Sequence, residues 1–321
     1  MHVVATAGHV DHGKSTLIKA LTGTDPDRLE EEKARGLTID LGFAGTKLPS
    51  GRGISFIDVP GHVRFLKNML AGVGGVDACI FVVAATEGWK PQSEEHLRIL
   101  SLLGIRHGIV ALTKVGHVDD ELATIAQMEI ADRTEGTFLA DAPIVPVDAI
   151  EGHGIDDLNT ALDQLLDVTP TARDDKKPRL WIDRVFAAKG AGTVVTGTLT
   201  GGMVRIEDEL SVLPQHAAVR VRALQSQYAD RTKVGPGNRV AANLSGVSHD
   251  QLRRGDVLVR PDDWHVTRTV DASLRVLESL DRPVTRRGAH LLYLGSGEHP
   301  VRVRVLGPDA IEPVATGAVR M

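Results

Sequence analysis

The chain contains very little cysteine and no long apolar segment. Its 321 residues include a single cysteine, Cys79, which excludes an internal disulfide and a zinc site built from several cysteines. Cys79 lies in the apolar run 78–83, and we expect it to be a small buried hydrophobic residue. No apolar run approaches the roughly 20 residues that a membrane-spanning helix needs, and no basic segment with an apolar core precedes the first predicted strand. These absences predict a cytoplasmic protein without a membrane contact.

The charged residues are divided unevenly along the chain. The net charge is −5, but residues 1–175 carry 15 Lys and Arg against 27 Asp and Glu, whereas residues 176–321 carry 22 against 15. A basic second half favours a polyanionic partner that is bound mainly there. Solvated Lys and Arg on the surfaces of β-barrels would give the same excess of positive charge, so this alternative stays open.

The hydrophobic periodicity changes near the middle of the chain. Up to about residue 167, short apolar strands alternate with helical patterns, which predicts a doubly wound, mostly parallel sheet. The predicted strands are 54–57, 78–83, 108–112 and 144–147, and the predicted helices include 16–21, 94–103 and 158–166. Residues 169–178 are polar, contain two prolines and form a predicted linker. Beyond the linker, the period of two is typical of β-barrels. We therefore predict an α/β domain at 1–175, a β-barrel domain at 176–263 and a partial β-barrel domain at 264–321.

A phosphate-binding loop is predicted near the start of the chain. The segment 8–15 has the spacing G-x-x-x-x-G-K-[ST], in which backbone N–H groups and a helix N-terminus surround a β-phosphate. A glycine-rich surface turn is the alternative, but the strand before the segment and the helix after it disfavour such a turn. We expect Lys14 to reach the β- and γ-phosphates and Ser15 to bind Mg²⁺. The nucleotide-binding residues expected here are Gly8, His9, Val10, Asp11, His12, Gly13, Lys14, Ser15 and Thr16.

Two further segments follow in the order that a nucleotide switch requires. Thr38, in Arg35-Gly36-Leu37-Thr38-Ile39, is expected to bind Mg²⁺ and the γ-phosphate. In Asp58-Val59-Pro60-Gly61-His62, Asp58 is placed to hold Mg²⁺ through water, and Gly61 can offer its N–H to the γ-phosphate. His62 then falls where an attacking water would be oriented, so we predict that His62 is catalytic.

These three motifs resemble the signature of translational GTPases related to elongation factor Tu, and within that group the chain is most similar to selenocysteine-specific elongation factors. Matching segments lie in both halves of the chain, at 27–33, 38–43, 68–77, 182–186, 189–198 and 237–244. The resemblance implies a P-loop GTPase domain followed by β-barrel domains. It also implies a monomer that uses GTP/GDP and Mg²⁺, binds selenocysteyl-tRNA and delivers it to the ribosome, where GTP is hydrolysed.

The resemblance also assigns roles to individual residues. Val10 is expected to gate the approach of water to His62. Asp183, Arg184 and Arg239 match positions that face the selenocysteyl group, where arginine would favour an anionic selenolate over a neutral serine hydroxyl. An ion pair between Asp183 and Arg184 on the strand surface is the structural alternative.

The guanine-recognition motif departs from the family pattern. The family's [NT]-K-x-D reads Thr113-Lys114-Val115-Gly116, so the carboxylate that accepts two hydrogen bonds from guanine is missing. Its loss is expected to cost roughly 2 to 4 kcal/mol of base discrimination. We still expect Thr113 to brace the phosphate loop, Lys114 to stack on the base and Ala149 to offer its N–H to the base. Asp148 is either a partial replacement for the missing carboxylate or a turn residue before the next helix.

The missing carboxylate and the end of the chain leave other functions open. About four strands are expected after residue 264, which predicts an open barrel. The winged-helix repeats by which the selenocysteine factors bind messenger RNA do not follow, so we expect no contact of this chain alone with a messenger hairpin. The stretch 225–227 also lacks a histidine that the family tends to have. The alternatives are a degenerate or truncated nucleotide-binding module without tRNA delivery, and an ATP-dependent phosphoryl-transfer enzyme.

Overall fold

A six-stranded sheet forms the centre of the first half of the chain. The structure is a computed structural model that describes residues 2–26, 38, 40–61, 69, 75–188, 192–278, 280, 282–285 and 287–321. The strands are β1 (His2–Ala7), β2 (Gly42–Lys47), β3 (Gly53–Asp58), β4 (Ala78–Ala84), β5 (Gly108–Thr113) and β6 (Ile144–Pro146), in the spatial order β2-β3-β1-β4-β5-β6. Only β2 runs antiparallel to its neighbour, so the predicted mostly parallel sheet is confirmed.

Helices cover both faces of this sheet. The described helices are α1 (Lys14–Thr22), α2 (Pro91–Leu102), α3 (Asp120–Thr134) and α4 (Ile155–Val168). One face packs on α1 and α4 through Leu17 and Leu162, and the other packs on α2 and α3 through Leu97 and Ile130. Strands that are covered on both sides are apolar at successive positions rather than at alternate ones, which explains the continuous apolar runs in the sequence. Cys79 lies in β4 and is fully buried, and burial raises the pKa of its thiol.

The helix starts differ from the sequence predictions by two or three residues. α1 begins at Lys14 rather than at residue 16, and α2 begins at Pro91 rather than at residue 94. Proline suits the first turn of a helix because the N–H that it lacks has no partner there in any case. No described helix has both the length and the apolar character needed to cross a membrane.

A closed antiparallel barrel follows. Its strands are β7 (Arg179–Ala188), β8 (Gly192–Thr200), β10 (Glu209–Leu213), β11 (Ala217–Ser226), β12 (Ala229–Arg231), β14 (Asn238–Ser245) and β15 (Val257–Val259), with a small pair formed by β9 (Val204–Arg205) and β13 (Lys233–Val234). The order β10-β15-β7-β8-β14-β11-β12 closes because β10 also pairs with β11. Closure satisfies the backbone groups that would otherwise form open edges.

The last part of the chain forms a smaller sheet. β16 (Asp271–Arg275), β18 (Arg287–Leu294), β19 (Gly297–Val305) and β21 (Thr316–Arg320) have the order β16-β21-β19-β18, and β17 (Val284–Thr285) pairs with β20 (Ala310–Ile311). Val303, Val305 and Val319 lie in its core. It packs against the barrel where Gly295 approaches the Trp181 ring and the Ser296 hydroxyl donates to the Ile182 carbonyl at 2.5 Å.

Candidate functional site

The predicted phosphate loop connects the carboxyl end of β1, a central strand of the sheet, to the start of α1. Gly8 and Gly13 have φ angles of 132° and 84°, a left-handed region that glycine tolerates and other residues rarely adopt. Lys14 Nζ donates to the His9 carbonyl at 2.7 Å, and Thr113 Oγ1 donates to the His12 carbonyl at 2.7 Å. The second contact braces the loop from β5. Within the loop, Val10 is half-buried, and Asp11 and Thr16 are exposed.

Two histidines of the loop lie against each other. The His9 and His12 rings meet edge to face with their centroids 4.9 Å apart, and both are close to the Glu87 carboxylate. His12 is fully buried, and burial lowers the pKa of its imidazole to about 4, in spite of its contact with the Val82 carbonyl. His12 is therefore neutral at physiological pH.

The three predicted magnesium ligands come together beside Lys14. The Ser15 hydroxyl lies 2.8 Å from Thr38 Oγ1 and donates to Asp58 Oδ2 at 2.6 Å. The Thr6 hydroxyl donates to the other carboxylate oxygen of Asp58 at 2.6 Å, which fixes the orientation of this fully buried side chain. Three segments that are far apart in sequence thus present hard oxygen atoms to one point.

Gly61 lies directly on the phosphate loop. A β-carbon at this position would lie 2.6 Å from Lys14 Nζ and 2.6 Å from the Val10 nitrogen. No side chain fits such an approach, so the glycine lets the backbone come close to the place where phosphate is expected. His62, the predicted catalytic residue, lies outside the described residues, as do residues 35–37 and 39 of the Thr38 motif.

Two residues of α2 belong to this site although the sequence did not single them out. His96 Nδ1 accepts the Gly8 N–H at 3.0 Å, and Gln92 Oε1 accepts the Val10 N–H at 3.1 Å. Burial lowers the pKa of His96 to about 3, and this histidine also makes a backbone hydrogen bond with Gly61. A signal existed in the sequence, because Pro91 predicts a helix start and His96 then falls on the buried face together with Leu97 and Leu100.

The predicted base-binding residues lie in the loops after β5 and β6. Lys114 has a left-handed backbone with φ at 59°, and its ammonium group lies 3.3 Å from Glu87 Oε1. Ala149 is half-buried against the core that contains α4. Asp148 is buried and accepts the Gly116 N–H at 3.3 Å, which joins the two loops.

Two of the three predicted aminoacyl-contacting residues, Arg184 and Arg239, form an arginine cluster around Phe43 of β2. The guanidinium groups of Arg184 and Arg239 lie 4.6 Å and 3.9 Å from the centre of the Phe43 ring. Asp183 accepts hydrogen bonds from Arg239 and, at 2.8 Å, from the Thr196 hydroxyl. The alternative of a surface ion pair between Asp183 and Arg184 is wrong, because Asp183 is buried and its carboxylate pairs with Arg239. Arg184 instead donates to the Leu41 carbonyl and lies 3.8 Å from Asp40.

Comparison with known proteins agrees with this arrangement. The family model described as elongation factor Tu GTP binding domain matches residues 1–168. The chain therefore belongs to the family of translational GTPases related to elongation factor Tu.

Within the family, the resemblance to selenocysteine-specific elongation factors is supported by sequence and by structure. The factor of Desulfomicrobium baculatum is 41% identical to this chain, and the match covers 99% of this chain and 50% of that factor. The factor of Escherichia coli (strain K12) is 45% identical, and the match covers 80% of this chain and 42% of that factor. A crystal structure of a bacterial selenocysteine-specific elongation factor has a TM-score of 0.88 and 37% identity, covering 99% of this chain and 52% of that one. The chain thus spans about half the length of these three selenocysteine-specific relatives.

Proposed function

We propose that this chain binds GTP and, in its GTP-bound form, binds selenocysteyl-tRNA and delivers it to the ribosome in the cytoplasm, where GTP is hydrolysed. The observation that carries the proposal is the short path between the nucleotide site and the arginine cluster. Thr38 contacts Ser15 of the phosphate loop, and two and three residues further on, Asp40 and Leu41 contact Arg184. A change at Thr38 that follows the γ-phosphate would therefore reach the aminoacyl site within one short segment.

Ser15, Thr38 and Asp58 fit Mg²⁺, because all three present hard oxygen atoms and the Ser15 hydroxyl lies within hydrogen-bonding distance of the other two side chains. When bound, Mg²⁺ supplies positive charge to the phosphate oxygens. Lys14 adds the charge of its ammonium group to the same phosphates, and the Gly61 backbone is close enough to offer its N–H.

For hydrolysis, we propose that His62 orients the attacking water and that Val10 gates its approach. The role of Val10 is supported by the position of its backbone. Its N–H donates to Gln92 Oε1, and its nitrogen lies beside Gly61, the residue that precedes His62. Neither the comparisons nor the contacts of the described residues favour the alternative of a degenerate module.

For the aminoacyl group, we propose the pocket beside the arginine cluster. Its volume is about 250 Å³, and its lining includes Phe43, Arg184, Gln227 and Arg239. Asp183 neutralises part of the charge of Arg239 and holds it in place, while Arg184 adds a second cation. Two guanidinium groups favour an ionised selenolate over the neutral hydroxyl of serine, because hydrogen bonds to an anion are roughly twice as strong as neutral ones.

Protection of the aminoacyl ester tests the proposal. With GTP and Mg²⁺, the protein is expected to slow spontaneous hydrolysis of selenocysteyl-tRNA, whereas GDP or the same tRNA charged with serine gives little protection. Arg184→Met keeps the length of the side chain and removes its charge, so it should abolish the preference for selenocysteine. Arg222→Met, on an exposed face of the barrel, is the matched control. Equal hydrolysis rates with and without protein in GTP would refute the proposed function.

A further inference from the structure

The loops after β5 and β6 meet at the edge of the sheet where a nucleotide base is expected. Both loops follow the carboxyl ends of parallel strands, as the phosphate loop does, and Thr113 joins them to that loop through His12. In open α/β sheets, ligands bind outside this edge. A nucleotide whose phosphates lie on the phosphate loop can therefore direct its base towards Lys114, Gly116 and Asp148.

The Asp148 carboxylate occupies the space beside Gly116. A β-carbon built on Gly116 would lie 2.8 Å from Asp148 Oδ2, and the three atoms nearest to it all belong to Asp148. Gly116 is not among the residues with a positive φ, so the backbone itself does not demand glycine. What excludes a side chain at position 116 is the carboxylate of residue 148. The absence of an aspartate at position 116 and the presence of one at position 148 are thus two parts of one local arrangement.

Asp148 is held in place as an ion with acceptor capacity to spare. Its Oδ1 accepts the N–H groups of Ile150 and Glu151, both at 3.1 Å, and its Oδ2 accepts the Gly116 N–H at 3.3 Å. Burial alone would raise the pKa of this carboxyl, but the three N–H groups outweigh burial and hold the pKa below its ordinary value. A carboxylate offers about four acceptor positions, and these backbone groups use three of them.

We propose that Asp148 is the residue that recognises guanine, in place of an aspartate at position 116. Guanine presents two donors on one edge, N1–H and the 2-amino group, and the one acceptor position that remains on Asp148 Oδ2 can take the 2-amino group. The inference rests on the proposed function, because it assumes that the nucleotide is GTP. The two roles of Asp148 that the sequence left open do not exclude each other. Oδ1 holds the turn at 150–151, while Oδ2 lies where a side chain of residue 116 would otherwise begin.

Competition binding with the whole chain tests this assignment. A fluorescent GDP analogue bound with Mg²⁺ is displaced by GTP, ATP or XTP, and the parent protein is expected to prefer GTP. Asp148→Asn keeps the shape of the side chain and an oxygen for the turn, but its amide nitrogen donates. The affinity for GTP should fall about 30-fold or more. The affinity for XTP should rise, because xanthine carries a carbonyl where guanine carries the 2-amino group. Glu151→Gln, an exposed carboxylate of the same loop, should change neither affinity.

A second variant separates base recognition from folding of the loop. Gly116→Asp alone brings two carboxylates into one space and should weaken GTP binding. Gly116→Asp combined with Asp148→Ser moves the carboxylate to position 116 and clears its path. This double variant should recover the affinity of the parent for GTP to within about threefold and should not bind XTP.

The outcomes distinguish this inference from the proposed function. An unchanged preference for GTP in Asp148→Asn overturns the role of Asp148 and leaves a GTP-dependent factor intact. Equal competition by GTP, ATP and XTP in the parent overturns both, since no base is then selected. A switch to XTP in Asp148→Asn supports the inference even if the parent gives no protection of selenocysteyl-tRNA, in which case only the delivery function fails.

Discussion

His96 connects two backbone segments of the nucleotide site through one buried imidazole ring. Its Nδ1 accepts the Gly8 N–H, and it also bonds to the backbone of Gly61. A ring nitrogen accepts a hydrogen bond only while it is unprotonated. Burial lowers the pKa of His96 to about 3, so this connection persists across the whole physiological pH range. His96 is therefore a positioning residue for the phosphate loop rather than a group that moves protons.

The buried histidines predict that acid weakens the fold well above the pKa values of the folded state. His12 and His96 have pKa values of about 4 and about 3 in the folded chain, against 6.5 when unfolded. The contribution of these neutral histidines to the free energy of unfolding is complete above pH 6.5. It is lost as the pH falls towards 4 and 3, because only the unfolded chain takes up protons on these rings in that window. Each histidine should lower the free energy of unfolding by roughly 2 kcal/mol at pH 5, relative to neutral pH. Asp77 offsets part of this loss, because burial raises its pKa to about 6.

Urea unfolding at pH 7.5 and pH 5 measures this effect. His96→Gln keeps an acceptor for Gly8 and a donor for Gly61 but does not titrate, so its free energy of unfolding should fall by roughly 2 kcal/mol less than that of the parent between the two pH values. His107→Gln, in the loop before β5, is the control, because this half-buried histidine lies outside the nucleotide site. Parallel pH dependence in His96→Gln and the parent would show that His96 is not held neutral.

At the scale of elements, β2 joins the nucleotide site to the arginine cluster. Its Phe43 side chain is half-buried and receives the guanidinium groups of Arg184 from β7 and of Arg239 from β14 on its ring. A cation above an aromatic face gains roughly 0.5 to 2 kcal/mol, depending on its exposure to water. The ring thus sets where both arginines point, although it belongs to the other sheet.

Removal of the aromatic face of Phe43 should therefore disorder the proposed aminoacyl pocket. In Phe43→Leu, we expect the affinity for selenocysteyl-tRNA to fall by roughly threefold to thirtyfold, with GTP affinity nearly unchanged. Phe186→Leu is the matched control, because Phe186 lines the same pocket but no described arginine stacks on it. Similar losses in the two variants would assign the effect to the apolar lining of the pocket instead of the arginines.

The elements were predictable to the extent that they depend on local patterns. Glycine spacing and a following helix located the phosphate loop, and continuous apolar runs located the strands of the parallel sheet. Contacts between distant segments were not predictable in this way. His96 has no motif of its own, Asp183 pairs with Arg239 across 56 residues rather than with its neighbour, and Phe43 contacts a different sheet. Only tertiary packing brings these partners together.

At the scale of the whole molecule, the acidic first half meets the basic second half directly after the Thr38 segment. Asp40 lies 3.8 Å from Arg184 Nε and 3.3 Å from Arg254 Nη1, and Gln227 donates to the Ile54 carbonyl at 3.4 Å. These charged side chains are about one-third exposed, so each pair contributes at most about 1 kcal/mol. Such contacts are weak enough to be made and broken as the bound nucleotide changes.

Asp40 should accordingly couple nucleotide binding to tRNA binding without being essential for either. In Asp40→Asn, we expect the ratio of the affinities for selenocysteyl-tRNA in GTP and in GDP to fall by about twofold to tenfold. Binding equilibria are linked, so the effect of the tRNA on GTP affinity must fall by the same factor, and measuring both directions provides an internal check. Asp167→Asn breaks an ion pair with Arg52 inside the first half and is the control. If both affinities fell together while their ratio stayed constant, Asp40 would support the fold of this segment and would not transmit the state of the nucleotide.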